Sequence, residues 1–497
     1  MVYSWYLSYP LSVNFLGDFV FNHMSVLYWF SLPLLLASMY MIAVTFKNDY
    51  LKWIMTVGIV MTMYSASYFY YTLPTSDSLY YRGLNEYFIR TKNLDFSQPG
   101  KSYFQWPSIF ILTDIATSVS GLELVNFEFL MYAIMGFLLA TTLYLYASKA
   151  YRNGGFLAVV VFFIVMFFYL NYQFAAFTLA LILLFLLFIL DTRGRSSSVT
   201  LTMLILFTGM TITHAYVPLF FIIFLLIRWI INRSKQFMES FLLTLIIYLV
   251  YQVTFTRSLT STIRAMMTRP TEIFAWAKVT PVSVPIDAIA QVFLMAILII
   301  SVMICVAGFI ILLSKRKMRD LDKAIFLTGA GYAGLGIMLY ILGSRAIPIA
   351  FIPISLGASY LFESRFRPYL KSLFLVLLIL FLFAPLHMTF FTQDIFFQTK
   401  EAYKAENFFI DHYNWTNPSL ILANFRAINY FESKLTGNAY FSANPLAIKE
   451  ADTIFYTVGL GLPLSAYNYT IDRVIYEERL NVVYNNGFSI VIIRNAR

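Results

Sequence analysis

The sequence predicts an all-α polytopic membrane protein that carries a small α/β domain at its C-terminal end. Hydrophobic residues make up 60% of the 497 positions and charged residues only 12%, about half of what a soluble chain carries. Apolar runs recur along the chain at lengths near the roughly 20 residues with which a helix crosses a bilayer. After about residue 390 the pattern changes to mixed polar and apolar residues with short β-like runs.

Hydropathy predicts about twelve membrane spans. Residues 107–120 are apolar but short for a full crossing, and Asp114 interrupts them, so we interpret this segment as a re-entrant or interfacial helix. The predicted spans lie at approximately 26–46, 53–72, 127–148, 154–170, 172–190, 199–213, 216–232, 237–256, 288–313, 323–342, 346–362 and 372–388.

Basic residues predict the orientation of these spans, because they fall in alternate loops and basic loops stay on the cytoplasmic side. The opposite loops, the N-terminus and the C-terminal tail are then extracytoplasmic, and the alternation closes only if 107–120 does not cross. We therefore expect a multi-pass protein of the cell membrane in contact with membrane lipids. The net charge of +10 is a topology signal in this setting, so we expect no nucleic acid partner.

The chain divides into two predicted domains. Residues 1–390 form the transmembrane domain, whose first extracytoplasmic loop is 73–126, and residues 391–497 form the extracytoplasmic α/β domain. Helical spacing over 401–412 and β-like runs at 474–476 and 489–493 support the second domain. Asn414 and Asn468 begin glycosylation sequons on the predicted outer side, and whether they are used stays open.

The first extracytoplasmic loop contains the best candidate for chemistry. Asp77 directly follows a predicted span, at a membrane surface where the basicity of a carboxylate can be tuned. Residues 79–90 have the spacing of an amphipathic helix, and aromatic rings beside acids suit carbohydrate. A solvated loop anchored by its aromatic residues is the alternative. We predict Asp77 as the catalytic base and, as substrate-binding residues, Tyr81, Arg82, Glu86, Tyr103 and Trp106.

Three basic residues outside this loop are further substrate-binding candidates. His214 lies at an extracytoplasmic span end, where imidazole could hydrogen-bond a phosphate or a sugar hydroxyl. Arg345 begins a span on the outer side, and a guanidinium binds phosphate through paired hydrogen bonds. Arg269 belongs to a basic outer loop, 257–287, that could close over an anionic donor. A helix-end histidine, a snorkelling arginine and an ordinary mobile loop are the alternatives.

The sequence predicts neither a metal site nor a cofactor. Asp77 stands alone in Ser76-Asp77-Ser78, with no second acid beside it, and the histidines are scattered. No glycine-rich phosphate loop is present, so ATP-driven transport has no support.

The order of segments along this chain resembles that in membrane glycosyltransferases of the GT-C type. This is the broad group that includes protein mannosyltransferases and aminoarabinose transferases. The resemblance lies in a span followed by Ser76 to Thr91, an aromatic element from Tyr103 to Pro107 and an apolar helix. The span end at His214, the span start at Arg345 and the tail pieces 401–408 and 483–488 are similar too.

The resemblance implies a fold, an activity and a donor. Asp77 would match the acidic residue of the family's first loop, which acts as a general base or orients the acceptor. Family donors are polyprenyl- or dolichyl-phosphate sugars, used on the outer face toward a protein, lipid or glycan acceptor. The Trp-Trp-Asp-Tyr-Gly motif of oligosaccharyltransferases is absent, which argues against transfer of an oligosaccharide to sequons.

Two other classes of function stay open on the sequence. A transporter or lipid flippase would need ionisable residues near the middle of its spans, and few are present. A non-catalytic membrane scaffold would use its outer domain to bind partners. Convergence of Asp77, His214 and Arg345 in the structure would favour the enzyme.

Overall fold

The structure is a computed structural model that describes the chain in blocks. Two predicted spans, 288–313 and 372–388, lie outside the described residues, and the span 346–362 is described only at isolated positions. The described residues are 26–45, 48–65, 76–94, 102–151, 155–170, 176–194, 196–256, 319–339, 349, 352–353, 355–357, 359, 400–412, 419–423, 439–442, 453–457, 481–485 and 489–493.

The described helices follow the predicted spans, because long apolar runs satisfy their backbone hydrogen bonds internally when they are helical. Two of them, α5 and α10, are long and apolar enough to cross a bilayer, and α4, α7, α8 and α9 are shorter apolar helices. The total of about twelve spans stays a prediction. The helices are α1 Val26–Thr45, α2 Asp49–Ser65, α3 Ser76–Thr91, α4 Ser108–Ser120, α5 Leu124–Ala150, α6 Gly155–Leu170, α7 Ala176–Asp191, α8 Ser197–Thr213, α9 Val217–Asn232, α10 Lys235–Thr254 and α11 Asp320–Leu339.

Helix α2 begins earlier than the predicted start at residue 53. The side-chain oxygen of Asn48 accepts hydrogen bonds from the backbone N–H groups of Tyr50 (2.9 Å) and Leu51 (3.2 Å). Asparagine is a strong N-cap because it satisfies amides that have no partner inside the helix. As a result Lys52, which the sequence placed in a cytoplasmic turn, lies inside the helix and is buried.

The core of the bundle is aromatic and is centred on Phe188 of α7. The Phe188 ring lies 5.0 Å from that of Phe224 and 6.4 Å from that of Phe220, both on α9, and 5.5 Å from the ring of Tyr146 on α5. Helix α7 also packs against α8. Buried rings give large contact areas with specific edge geometry, and here they fix three helices around one residue.

Gly155, the first residue of α6, brings that helix against the backbone of α5. A Cβ at this position would come within 2.8 Å of Ser148 Cα and Ser148 N. Only a residue without a side chain permits this approach.

Replacing Gly155 with alanine is expected to lower the apparent unfolding temperature, because one helix must move away from the other at a cost of about 1–3 kcal/mol. Gly209→Ala in α8 is the matched control. Its added Cβ would lie 3.8 Å from Leu183 Cδ1, an ordinary contact, and loss of a helix-interior glycine stabilises by roughly 0.5–1 kcal/mol. Thermal scans of both variants in one detergent check this, and equal shifts would contradict the close approach.

Basic residues collect at one end of the bundle. Lys149 lies in the last turn of α5 and donates to Thr192 beyond the end of α7 (3.3 Å). Arg233 caps the end of α9, and Lys235 is the first residue of α10. Arg319 precedes α11, and its Nε and Nη2 donate to the two carboxylate oxygens of Asp322, each at 2.9 Å. Burial lowers the pKa of Arg319, but the hydrogen bonds and charge of Asp322 more than offset this and raise it above its ordinary value.

A second ion pair lies at the same end, between Asp191 and Arg228. The guanidinium of Arg228 on α9 approaches the carboxylate of Asp191, the last residue of α7, to 3.2 Å, and it lies 4.5 Å above the ring of Phe237 on α10. The side chain of Asp191 is fully buried. The pair therefore joins α7, α9 and α10 away from the predicted first-loop site.

The described residues of the C-terminal part form a helix, α12 (Lys400–His412), and five strands. Helix α12 confirms the helical spacing read over 401–412, and it packs against β5 with Phe409 and Ile410 buried. The division of the chain into two domains stays a prediction. The strands are β1 Ser419–Ala423, β2 Ala439–Ser442, β3 Thr453–Thr457, β4 Asn481–Asn485 and β5 Ser489–Ile493.

The strands form one mixed sheet in the order β2-β1-β3-β5-β4. Strand β1 pairs in parallel with β2 and β3, whereas β5 pairs antiparallel with β3 and β4. The register between β4 and β5 shifts between Val482 and Tyr484. The predicted strand at 489–493 is confirmed as β5, and the run at 474–476 lies outside the described residues.

Candidate active site

Asp77 lies in the first turn of α3, the helix that the sequence predicted over residues 79–90. The helix begins at Ser76, so it includes Asp77; the side chain of Asp77 is outside the described part of the structure. The helix ends where Lys92, at a positive φ of 54°, donates its backbone N–H to Phe88 O at 2.7 Å. The candidate base therefore stands on a regular helix rather than in an extended loop.

Helix α3 is buried around most of its circumference, because Arg82, Asn85 and Tyr87 are buried as well as the face that carries Tyr81, Leu84 and Phe88. Tyr81, Leu84 and Phe88 recur three and four positions apart and are all buried, and α3 packs against α4. Burial of this extent is not that of a solvated loop resting on an interface, which was the alternative for this segment. Helical spacing puts position 77 on the same side of the helix as position 81.

The aromatic element after α3 packs onto this face. Residues Ser102–Gln105 form one short 3-10 helix, and the Tyr103 ring lies 5.4 Å from that of Tyr81 and 6.4 Å from that of Trp106. Tyr81 also stacks on Phe110 of α4 at 5.9 Å. The structure thus brings together Tyr81, Tyr103 and Trp106, three of the predicted substrate-binding residues.

His214 lies in the turn between α8 and α9 and is 4% exposed. Its Nδ1 accepts the backbone N–H groups of Tyr216 (3.1 Å) and Val217 (3.4 Å), so it caps the start of α9. With Nδ1 as an acceptor, the neutral ring carries its proton on Nε2. The edge of the ring packs against Phe177 of α7 at 5.1 Å.

Hydrogen bonds tie this turn to the aromatic element. Ser108 Oγ, at the start of α4, donates to Thr213 Oγ1 at 2.7 Å. From α10, Tyr251 Oη donates to Gln105 O at 2.7 Å and Tyr248 Oη donates to Ala215 O at 3.0 Å. His214 and the Tyr103–Trp106 element therefore belong to one end of the bundle.

Arg82 forms a buried ion pair with Glu128, the fifth residue of α5. Arg82 Nε donates to Glu128 Oε2 at 2.7 Å, and Nη2 lies 2.6 Å from the same oxygen. The two side chains are 1% and 2% exposed. Asn85 and Glu86 are electrostatic neighbours of the Glu128 carboxylate. Arg82 thus faces α5, and its predicted contact with substrate stays a prediction.

Two predicted residues, Arg269 and Arg345, lie outside the described residues, so the convergence of Asp77, His214 and Arg345 stays a prediction. Glu86 is partly exposed on α3. Among the residues that the structure describes, no group of three or more His, Cys, Asp or Glu side chains could hold a metal ion.

Sequence reasoning missed Glu128 and Tyr251. Glu128 had a signal that could have found it, because a carboxylate inside a predicted membrane span is rare and usually paired. Tyr251 had none, since a tyrosine within an apolar helix is ordinary and its partner is a backbone carbonyl far away in the chain.

Comparison with known proteins finds a similarity in three-dimensional structure but none in sequence. No family model and no curated protein matches the sequence. Among solved structures, the chain is similar to ArnT from Cupriavidus metallidurans in the apo state, with a TM-score of 0.51 and 9% sequence identity. The match covers 89% of this chain and 98% of that one.

The chain has a GT-C-like fold. The likeness to ArnT supports this fold and spans nearly the full length of both chains. A GT-C-like fold together with the apolar helices makes this a membrane protein. At 9% identity the GT-C-like fold does not carry individual residues across, so the site rests on the geometry around α3.

Proposed function

We propose that the protein is a membrane glycosyltransferase that moves one sugar from a polyprenyl- or dolichyl-phosphate donor to an extracytoplasmic protein, lipid or glycan acceptor. The observation that carries this is the GT-C-like fold, since the likeness to ArnT extends over nearly all of this chain and of that one. The collection of α3, the aromatic element and His214 at one end of the bundle supports it.

Asp77 would act as the general base. Its carboxylate takes the proton of the acceptor hydroxyl while that oxygen attacks the anomeric carbon of the donor. The new bond joins the acceptor oxygen to the anomeric carbon, and the bond from that carbon to the lipid-phosphate oxygen breaks with inversion. The leaving lipid phosphate keeps the electron pair, so it needs positive charge nearby rather than a proton. Arg345 and Arg269 are proposed to supply this charge.

The sugar is proposed to bind beside α3. Tyr81, Tyr103 and Trp106 offer aromatic rings, and Glu86 offers an acceptor for sugar hydroxyls. The proton that His214 carries on Nε2 could be donated to an oxygen of the donor lipid. Tyr81 lies one helical turn after Asp77 on α3, its ring contacts that of Tyr103, and Tyr103 in turn contacts Trp106.

The distribution of basic residues supports placing this site on the extracytoplasmic side. Lys149, Arg233, Lys235 and Arg319 lie at the end of the bundle opposite His214. By the positive-inside rule that basic end faces the cytoplasm. The N-terminus and the C-terminal region are then extracytoplasmic, as the sequence predicts.

The buried charges give the transporter alternative little support. Glu128 is the fifth residue of α5 and Asp191 is the last residue of α7, so these two buried carboxylates of the described helices lie at or near helix ends. Ion pathways place ionisable groups near the middle of spans.

The direct test is incubation of the reconstituted protein with a panel of lipid-phosphate sugars and hydroxyl-bearing peptides, lipids and oligosaccharides, followed by mass spectrometry. We expect one donor to be consumed, with free lipid phosphate and a glycosylated acceptor formed in equal amounts. Protein heated before the incubation is the control. If folded protein consumes none of the donors, the proposal fails.

A further inference from the structure

We infer that Arg82 and Glu128 are positioning residues whose ion pair fixes the rotation of α3 about its axis, and thereby the direction in which Asp77 faces. This inference rests on the proposed function of Asp77. Neither residue needs to touch the substrate in this role.

The pair joins the helix that carries the candidate base to a fixed helix. Glu128 belongs to α5, which packs against α2, α6 and α7 and therefore cannot easily shift. Arg82 belongs to α3, and two of its nitrogens meet a single oxygen, Glu128 Oε2, at 2.6 and 2.7 Å. A planar guanidinium held through two donors at this range allows little rotation of the side chain.

The pair holds α3 on the side away from Asp77. Residues 77 and 82 are five positions apart, which places them about 140° apart around a helix of 3.6 residues per turn. At a side-chain radius of roughly 5–6 Å, a rotation of α3 by about 10° moves a side-chain tip by about 1 Å. A misplacement of that size at a reacting group can lower a rate about 100-fold.

Burying two charges costs desolvation free energy, which suggests that the Arg82–Glu128 pair does more than stabilise the fold. A buried ion pair loses hydration that its attraction only partly offsets, so apolar replacement is often neutral or stabilising. What apolar side chains cannot supply is a directional contact. Arg82 and Glu128, at 1% and 2% exposure, fit a role in orientation.

Two measurements on the reconstituted full-length protein test this. The first is hydrogen–deuterium exchange of the α3 amides without ligand. Glu128→Gln, which removes the charge and keeps the shape, should speed exchange in α3 by at least about tenfold while α8 is unchanged. Lys92→Gln is the control. Lys92 pairs with Asp114 of the neighbouring helix α4, but this pair lies at the surface, so the substitution should leave the exchange of the α3 amides unchanged. Unchanged α3 exchange in Glu128→Gln would overturn the inference.

The second measurement is the transfer rate. We expect Glu128→Gln and Arg82→Lys to lower kcat about 100-fold with KM for the donor nearly unchanged. The apolar pair Arg82→Met/Glu128→Leu should restore the slow exchange of α3 but not kcat. Recovery of both by the apolar pair, or a normal kcat in Glu128→Gln, would reduce the ion pair to a structural role and overturn the inference.

The two measurements separate this inference from the proposed function. If the wild-type protein transfers no sugar from any donor, the proposed function fails, and the exchange experiment alone then decides whether the pair holds α3. If the wild-type protein is active, both measurements bear on the positioning role.

Discussion

Asp77→Asn is expected to lower sugar transfer about 1,000-fold while leaving KM for the donor lipid nearly unchanged. The amide has the shape of the carboxylate but cannot accept the proton of the acceptor hydroxyl, and a positioned general base contributes about 10²–10⁴-fold to a rate. Because asparagine has nearly the same size and shape as aspartate, the substitution should not disturb packing. Initial rates over a range of donor and acceptor concentrations measure the effect.

Asp114→Asn is the matched control for that substitution. Asp114 is an aspartate of the neighbouring helix α4 and pairs with the exposed Lys92, a kind of surface contact worth only about 0–1 kcal/mol. Its transfer rate should stay within about twofold of wild type, because losing a surface contact of this size leaves the protein folded and Asp114 has no proposed role in transfer. Near-normal turnover by Asp77→Asn would remove Asp77 from the mechanism and leave only the fold.

Asp191→Leu is expected to destabilise the bundle by about 3–5 kcal/mol, because it leaves the guanidinium of Arg228 largely buried without its counter-charge. The Asp191 side chain is fully buried and that of Arg228 is only 12% exposed, at 3.2 Å from it. Arg228→Leu should cost a similar amount by stranding the carboxylate, and it also removes the contact above Phe237. Denaturant unfolding of both variants in one detergent measures these costs.

The double variant Asp191→Leu/Arg228→Leu tests whether the two residues stabilise the bundle as a pair or independently of each other. It should regain stability to within about 1–2 kcal/mol of wild type, because no buried charge is left unpaired. Lys235→Ala is the control, since Lys235 pairs with Glu239 along one exposed helix face at 3.6 Å and should cost under about 0.5 kcal/mol. If the stability lost in the double variant equals the sum of the losses in the two single variants, the two residues are not coupled.

Local patterns in the sequence were sufficient for the helices. The predicted runs at 199–213 and 216–232 match α8 and α9 to within a few residues, because a long apolar segment in a membrane has helix as its main way to satisfy the backbone. The start of α2 was predicted late, since a polar stretch can be either a turn or a capped first turn. Only the hydrogen bonds to Asn48 decide between them.

The candidate site was predictable only in part. Asp77, Tyr81 and the aromatic element could be chosen because they are close in sequence and share one spacing. Their connection to the rest of the bundle could not, because the Arg82–Glu128 pair joins positions 46 apart and the Tyr251–Gln105 bond joins positions 146 apart. Such contacts depend on how helices meet in space.

Composition and periodicity by themselves determined that this chain is a helical membrane protein with an acidic, aromatic helix after an early span. These properties follow from the solvent preference of each side chain and from the helix repeat, both of which are local. Only the tertiary structure decided that Arg82 is held inside by Glu128, that His214 caps α9, and that α4, α8 and α10 meet at the aromatic element. The physical reason is that an ion pair or hydrogen bond forms only where two distant segments are brought within about 3 Å of each other.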